Sequence, residues 1–366
     1  MINRMIFENI LHRPIRTAVS VLAVAIEVGM VMLVVGMTHG MLQDTANRVQ
    51  GVGADLMVQP PGASMFLGLT QAPMPIQIGD RLAEVPHVLA VAPVLFQFVS
   101  QGGISLIWGI DLSSFDRVSG GFIYLKGGPF EHPDDILVDD WYERANNVKV
   151  GETLHLLNHD FHVSGIVEHG KGSRLFIPLS TAQDLSGAKD KASIFYVKCT
   201  DPGYTNAVMK SISGLLPKYQ LHSIKEYMSL MTSNDIPALN AFITAMIGVA
   251  VGIGFMVIFL SMYTTITERT REIGILKSLG AGKRYIMSVI LREAGLLSVI
   301  GVLAGYGGTW LAKKVIVATF PTLTVELTIH WALWAGLLAV GGSLLGAFYP
   351  AIRAARLDPV DSLAYE

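Results

Sequence analysis

No residue from Ile236 to Thr267 is charged, and none from Ala294 to Ala312 is charged either. Between them lies Glu268-Arg-Thr-Arg-Glu-Ile-Gly-Ile-Leu-Lys-Ser-Leu-Gly-Ala-Gly-Lys283, a compact, charged and amphipathic stretch. A bilayer core takes about 20 apolar residues of helix to cross. The uncharged runs therefore read as two membrane spans, and the stretch between them as a loop on one side. A loop that short, helical and polar suits a docking surface better than a linker.

Composition agrees with a membrane protein. Hydrophobic residues make up 51% of the chain and charged ones only 15%, outside the balance of soluble domains. No long basic or acidic run points to nucleic acid. The single cysteine, Cys199, excludes an intrachain disulfide and a multi-cysteine metal site, and after the apolar run Ile194–Val197 it reads as a buried thiol.

Four spans are expected: Thr17–Leu42, Pro237–Ile266, Ala294–Ala312 and Trp331–Ile352. Ala23-Val24-Ala25 has the form of a cleavage site but lies inside the first run, so a retained helix is expected. Orientation follows from the basic residues. Arg4, Arg13 and Arg16 precede span one; Arg269, Arg271, Lys277, Lys283, Arg284 and Arg292 lie between spans two and three; Arg353 and Arg356 follow span four. The positive-inside rule puts both termini and the 268–293 loop in the cytoplasm. Residues 43–235 then form a large extracytoplasmic domain, and 313–330 a short loop on the same side.

That domain has a mixed α/β pattern. Strands are expected at Val88–Val99 (broken at Pro93), Gly103–Gly109, Asp135–Val138 and Ile194–Val197. Gly151–Val167 reads as a hairpin turning at Asn158-His159-Asp160. Phe176-Ile177-Pro178 leads into a capped helix over Ser180–Leu185, and Thr205–Leu216 is a further helix. His155, His159 and His162, with Asp160, are close enough in sequence to raise a metal site. Strand alternation denies them the i, i+4 geometry of a helical ligand pair, so they read as solvated hairpin histidines. No recognisable nucleophile motif is present. Span one continues in helical composition to Gln50, and a helix over Thr17–Gln50 would measure about 50 Å against about 30 Å of hydrocarbon. Ser223–Met231 approaches span two with similar character. These are two candidate stalks.

Inside the spans, Gly248/Gly252, Gly301/Gly305 and Gly342/Gly346 have the spacing that lets helices approach closely. Glu27 is an intramembrane carboxylate. A charge at the bilayer centre costs about 2.5–3.5 kcal/mol on insertion scales, so an interhelical hydrogen bond to a serine, threonine or partner-subunit group is expected, with proton coupling as the alternative. Gly280-Ala-Gly-Lys283 has the look of a phosphate-loop ending, but the full motif needs Gly at 277 and Ser or Thr at 284, where the chain has Lys277 and Arg284. No nucleotide site is expected here, nor a cytoplasmic segment large enough for an ATPase domain.

Glu268-Arg269-x-Arg271-Glu272-Ile273-Gly274-Ile275-Leu276-Lys277-x-Leu279-Gly280-Ala281 resembles the signature of the permease family that includes MacB, FtsX and the lipoprotein-releasing permeases. Arg13-Pro-Ile-Arg16-Thr17, Glu293-Ala294-Gly295 and Tyr349-Pro350-Ala351-x-Arg353-Ala354-Ala355-x-x-Asp358-Pro359-Val360 resemble further family segments. The resemblance implies four transmembrane helices with a mixed α/β domain inserted between spans one and two. It implies a coupling helix fitted to a groove of a separate ABC ATPase, present in two copies with ATP and Mg, and no cofactor in this chain. It implies a second permease, identical or paralogous, work on a substrate outside the inner membrane, and contact with lipid and in some members a periplasmic adaptor. On this analogy Ile273, Leu276 and Leu279 bury the apolar face in the ATPase, Arg269, Arg271, Glu272 and Lys277 pair at its rim, and Gly280 stops the helix. The alternatives are an FtsX-like activator of an envelope hydrolase, against which the size of the inserted domain argues, and a membrane-anchored sensor or enzyme, which lacks a catalytic constellation.

Overall fold

Helix α1 (Pro14–Gly51) runs unbroken for 38 residues, through the first expected span and on to its extension. The computed structural model describes residues 14–63, 73–99, 105–232 and 237–358. Arg4, Arg13, Gly103, Pro359 and Val360 lie outside them. The chain divides into a helical unit (Met1–Gly40, Pro237–Ala318 and Val325–Glu366) and a sheet unit (Met41–Ile236 with Thr319–Thr324).

The sheet unit follows α1 with β1 (Leu56–Gln59), β2 (Met74–Pro75), α2 (Gln77–Ala83), β3 (Val88–Val99), β4 (Ser105–Ile110) and α3 (Leu112–Ser119). Next come β5 (Tyr124–Gly127), β6 (Asp135–Asp139), α4 (Asp140–Asn146), β7 (Thr153–Leu156), β8 (His159–Val167) and β9 (Leu175–Pro178). The unit closes with α5 (Leu179–Ser186), β10 (Lys191–Ala192), β11 (Ile194–Cys199), α6 (Thr205–Leu215), β12 (Gln220–Ser223) and α7 (Ile224–Thr232). One mixed sheet has the order β12-β1-β11-β3-β4-β9-β6-β8-β5, with β7 paired to β8; β10 and β2 form a small ladder of their own. β4–β9 and β6–β8 are parallel, the other pairs antiparallel. The central strands are mostly apolar, with Gln97 on β3 and Lys198 on β11 as exceptions, because both faces are largely covered. On β11, Ile194 and Tyr196 enter one core with Trp108 and Phe115, while Phe195 and Val197 enter another with Leu82 and Ile212. Cys199 is buried in the second core, and burial pushes its thiol up.

Three local expectations are corrected here. β3 does not break at Pro93: Pro93 pairs with Phe195 on β11, and the β4 ladder begins only at Val94, so Pro93 is flanked by a paired strand on one side alone. The hairpin turns at Leu157–Asn158, both left-handed (φ 55° and 58°), while His159 and Asp160 already pair in the ladder. α5 starts at Leu179 behind Pro178, with no side-chain cap. The hairpin histidines each take a nearby partner: His155 bonds Asp160 (2.7 Å), His159 bonds Asp134 (2.7 Å), and His162 faces Thr153 (3.2 Å).

The helical unit holds the start of α1 with α8 (Pro237–Glu268), α9 (Thr270–Ser278), α10 (Lys283–Thr319) and α11 (Ile329–Arg356). α1, α8, α10 and α11 are each long and apolar enough to cross a membrane. Lys283–Glu293, expected in a loop, instead forms the first turns of α10, and Lys313 and Lys314 lie on that helix near its other end. Gly301 and Gly305 let α10 close on Val24 and Val28 of α1, and Gly346 sits against the Phe255 carbonyl of α8. Among the described residues, nothing beyond α8's own adjacent backbone comes within 4 Å of where a Cβ would stand on Gly248 or Gly252.

Candidate functional site

α9 is the charged stretch between the two uncharged runs, and nine residues suffice for it. Its stop is a Schellman motif: Gly280 adopts φ 95°, its N–H donates to the Lys277 carbonyl (3.0 Å), and the Ala281 N–H donates to that of Leu276 (3.0 Å). Leu276 and Ala281, the pair such a motif brings together, both pack on the helical core.

Several residues expected to face a partner are instead turned into the chain's own bundle. Ile273 is buried and Leu276 packs beside it against the core. Gly274 is buried too. Lys277 donates through Nζ to the carbonyls of Ala355 (3.1 Å) and Leu357, which end α11. A cation at a helix C-terminus satisfies carbonyls that lack an intrahelical donor. Arg269 bonds Glu272 (2.8 Å) and lies 3.6 Å from Glu293. Arg16 of α1 reaches the same Glu293 at 3.8 Å and Glu268 at 3.7 Å. Glu293 is 3% exposed, so it is a buried carboxylate shared by two arginines. These contacts fasten α9 to α10 and α11, and Arg16 brings α1 to the same Glu293.

The exposed face of α9 therefore differs from the expected one. Ile275 is 45% exposed and Leu279 is 80% exposed. Arg271, Glu272, Lys283 and Arg284 surround them in solvent. Ile275 was missed because spacing from Leu279 alone suits either face, and only packing shows which one is covered. Arg16 and Glu293 were legible as motif residues but not as partners, since they are far apart in sequence.

Glu27 is 4% exposed, and neither carboxylate oxygen has a hydrogen-bond partner among the described residues. The expected hydrogen bond to a serine or threonine is absent among the described residues, where the carboxylate lies against Gly254 of α8 and near Gly342 of α11. Neither glycine offers a side-chain donor. The interhelical bond between α1 and α8 is made by Ser20 and Ser261 instead (2.7 Å).

The architecture defines a membrane protein with a mixed sheet domain inserted between its first and second spanning helices. Residues 17–215 match the MacB-like periplasmic core domain, and residues 244–359 match the FtsX-like permease C-terminal domain. The chain belongs to the MacB/FtsX-like family of ABC transporter permeases. It is 26% identical to the macrolide export ATP-binding/permease protein MacB of Nitrobacter winogradskyi, over 99% of this chain and 60% of that protein. It is likewise 26% identical to the pyoverdine export ATP-binding/permease protein PvdT of Pseudomonas fluorescens, over 96% and 57%. Identity to the uncharacterized ABC transporter permease YknZ of Bacillus subtilis is 28%, over 59% of this chain and 57% of that one. The chain thus spans about three-fifths of the length of the curated relatives it matches. Among solved structures, the periplasmic region of MacB from Actinobacillus actinomycetemcomitans aligns with 51% of this chain and 96% of its own, at TM-score 0.39 and 16% identity.

Proposed function

We propose that this permease takes its drive from a separate ABC ATPase through α9, and that it uses the drive to export or extract a substrate at the outer face of the inner membrane. The observation that carries this is the two-sidedness of α9. One side is bound to two spanning helices, α11 through Lys277 and α10 through Arg269, with Ile273 buried in the helical core. The other leaves Ile275 and Leu279 in solvent, where a lone apolar pair stabilises nothing. A short helix held so firmly can pass a push to the bundle. Its rim carries three cations (Arg271, Lys283, Arg284) and one anion (Glu272), so the fitting partner is an apolar slot edged by carboxylates. ATP-driven operation accords with the relatives, whose names combine ATP binding with a permease. The arginine and lysine distribution supports cytoplasmic termini and an outward-facing sheet domain.

The test is co-purification with the ATPase. Leu279→Asp and Ile275→Asp place a charge on the free face without touching the bundle. Each should cut ATPase recovery at least about tenfold, the scale of losing a buried apolar anchor. Recovery equal to wild type in both variants overturns this docking face.

A further inference from the structure

The sheet unit includes a segment from late in the chain. Thr319–Thr324, which starts at the last residue of α10, belongs to it although the rest of the unit ends at Ile236. One side chain joins that segment to the extension of α1. Arg174, just before β9, donates from Nη2 to Asp44 of α1 (3.1 Å) and to the backbone carbonyl of Thr322 (3.2 Å). Its Nη1 reaches Asp139, at the β6–α4 junction, at 3.4 Å, and the guanidinium lies 4.9 Å over the Trp141 ring of α4. Three separate segments thus meet on one planar cation that is only 14% exposed.

The chemistry suits arginine alone. Five N–H donors in a fixed fork serve two carboxylates and a carbonyl at once while the face stacks on an indole; a lysine ammonium offers a point charge and no face. The surroundings fix the fork in place. The Asp139 N–H donates to the Arg174 carbonyl (2.8 Å). The Gly172 N–H donates to the Arg48 carbonyl of α1 (2.7 Å), while Arg48 returns a bond from Nη1 to the Gly172 carbonyl (3.4 Å) and pairs with Asp44 (3.2 Å). A buried ion pair contributes little net stability compared with apolar packing, and its best-attested use is to fix one arrangement over others. The arrangement fixed here is that of three chain segments that connect directly to spanning helices or to the sheet.

We propose that Arg174 is a latch that holds the α1 extension and the Thr319–Thr324 segment to the sheet in a single register, so that displacement of one is passed to the other. The inference rests on the proposed function only for what displaces α1; the latch itself is a property of the sheet unit.

Hydrogen exchange on the full chain in lipid nanodiscs tests it. Asp44→Asn is the deciding variant, because it changes α1 and Asp44 has no hydrogen bond or ion pair to residues 319–324 among the described residues. In Asp44→Asn and in Arg174→Gln, amides of 168–174 and of 319–324 should exchange at least about tenfold faster, since a partner of a buried charge has been removed. Arg144→Gln, which breaks an exposed pair with Asp140, should leave both segments as in wild type. Unchanged exchange at 319–324 in Asp44→Asn overturns the latch, and so does a rise confined to 139–146. If Arg174→Gln loses protection throughout β3 and β11, the Asp44→Asn result alone decides. Loss of ATPase recovery in the Leu279→Asp variant bears on the docking face and leaves these outcomes untouched.

Discussion

Asp139 has no solvent exposure, yet its carboxylate caps α4 by accepting the Tyr142 N–H at 2.7 Å. Burial pushes its pKa up to about 6; the Arg174 guanidinium, the Tyr142 N–H and Arg48 pull it down, and neighbouring Asp140 pushes it further up. The folded value lies above the unfolded one, so the folded state holds the proton more tightly between about pH 4 and 6. The favourable contribution is complete below the unfolded pKa and is lost as pH rises through about 6. Two pH units correspond to about 3 kcal/mol. Asp139→Asn, which keeps an oxygen for the cap, should therefore gain stability relative to wild type as pH rises from 4 to 7, by up to about that amount. Denaturant melts of both proteins across that range measure the difference, and a constant difference counts against the shift. The identity of this residue as an N-cap was readable, because Asp139 precedes a short helix that Asn147 ends in the left-handed conformation. Its pairing with Arg174 was not, since 35 residues separate them. The same limit applies to α9: Arg269 and Lys277 look like surface charges in sequence, and only the fold brings Glu293 and the end of α11 to them.

Among the elements, three glycine pairs share one spacing and have different fates. A Cβ on Gly346 would stand 2.7 Å from the Phe255 carbonyl and 3.3 Å from the Phe259 amide, both backbone atoms that cannot swing away. A Cβ on Gly252 would meet nothing within 4 Å among the described residues. Gly346→Val should destabilise the helical unit by about 1–3 kcal/mol through overpacking, while Gly252→Val should leave the isolated chain within about 0.5 kcal/mol, as surface changes do. Thermal melts of the purified chain separate the two, and equal losses would mean that the α8–α11 contact is not the tight one. Element existence was legible wherever the uncharged run was long: α1, α8, α10 and α11 each contain the expected span. The boundaries were not, because span limits follow apolar composition whereas helices continue through polar residues to their caps. Short elements such as β1, β12 and α3 went unread. α3 still had a local signal, since Asp111 caps it by accepting the Ser114 N–H and Gly120 closes it with φ 75°.

At the scale of the whole molecule, the proposed orientation is open to direct measurement. In a Cys199→Ser background, a cysteine at exposed Lys189 of the sheet unit should react with a membrane-impermeant maleimide in intact cells. One at exposed Ser278 of α9 should react only after permeabilisation. Reversed labelling would place α9 outside and remove it from any cytoplasmic ATPase. Four apolar runs, their basic flanks and a long polar insertion were enough to specify a four-span protein with an inserted α/β domain. They suffice because the bilayer demands about 20 apolar residues per crossing and periodicity is a local property. Which side of α9 is free, which glycines carry helix contacts, and which arginine gathers α1, the sheet and residues 319–324 were decided by tertiary structure alone. Each depends on atoms brought together across tens to hundreds of residues, and burial and hydrogen-bond partners acquire values only once that meeting has occurred.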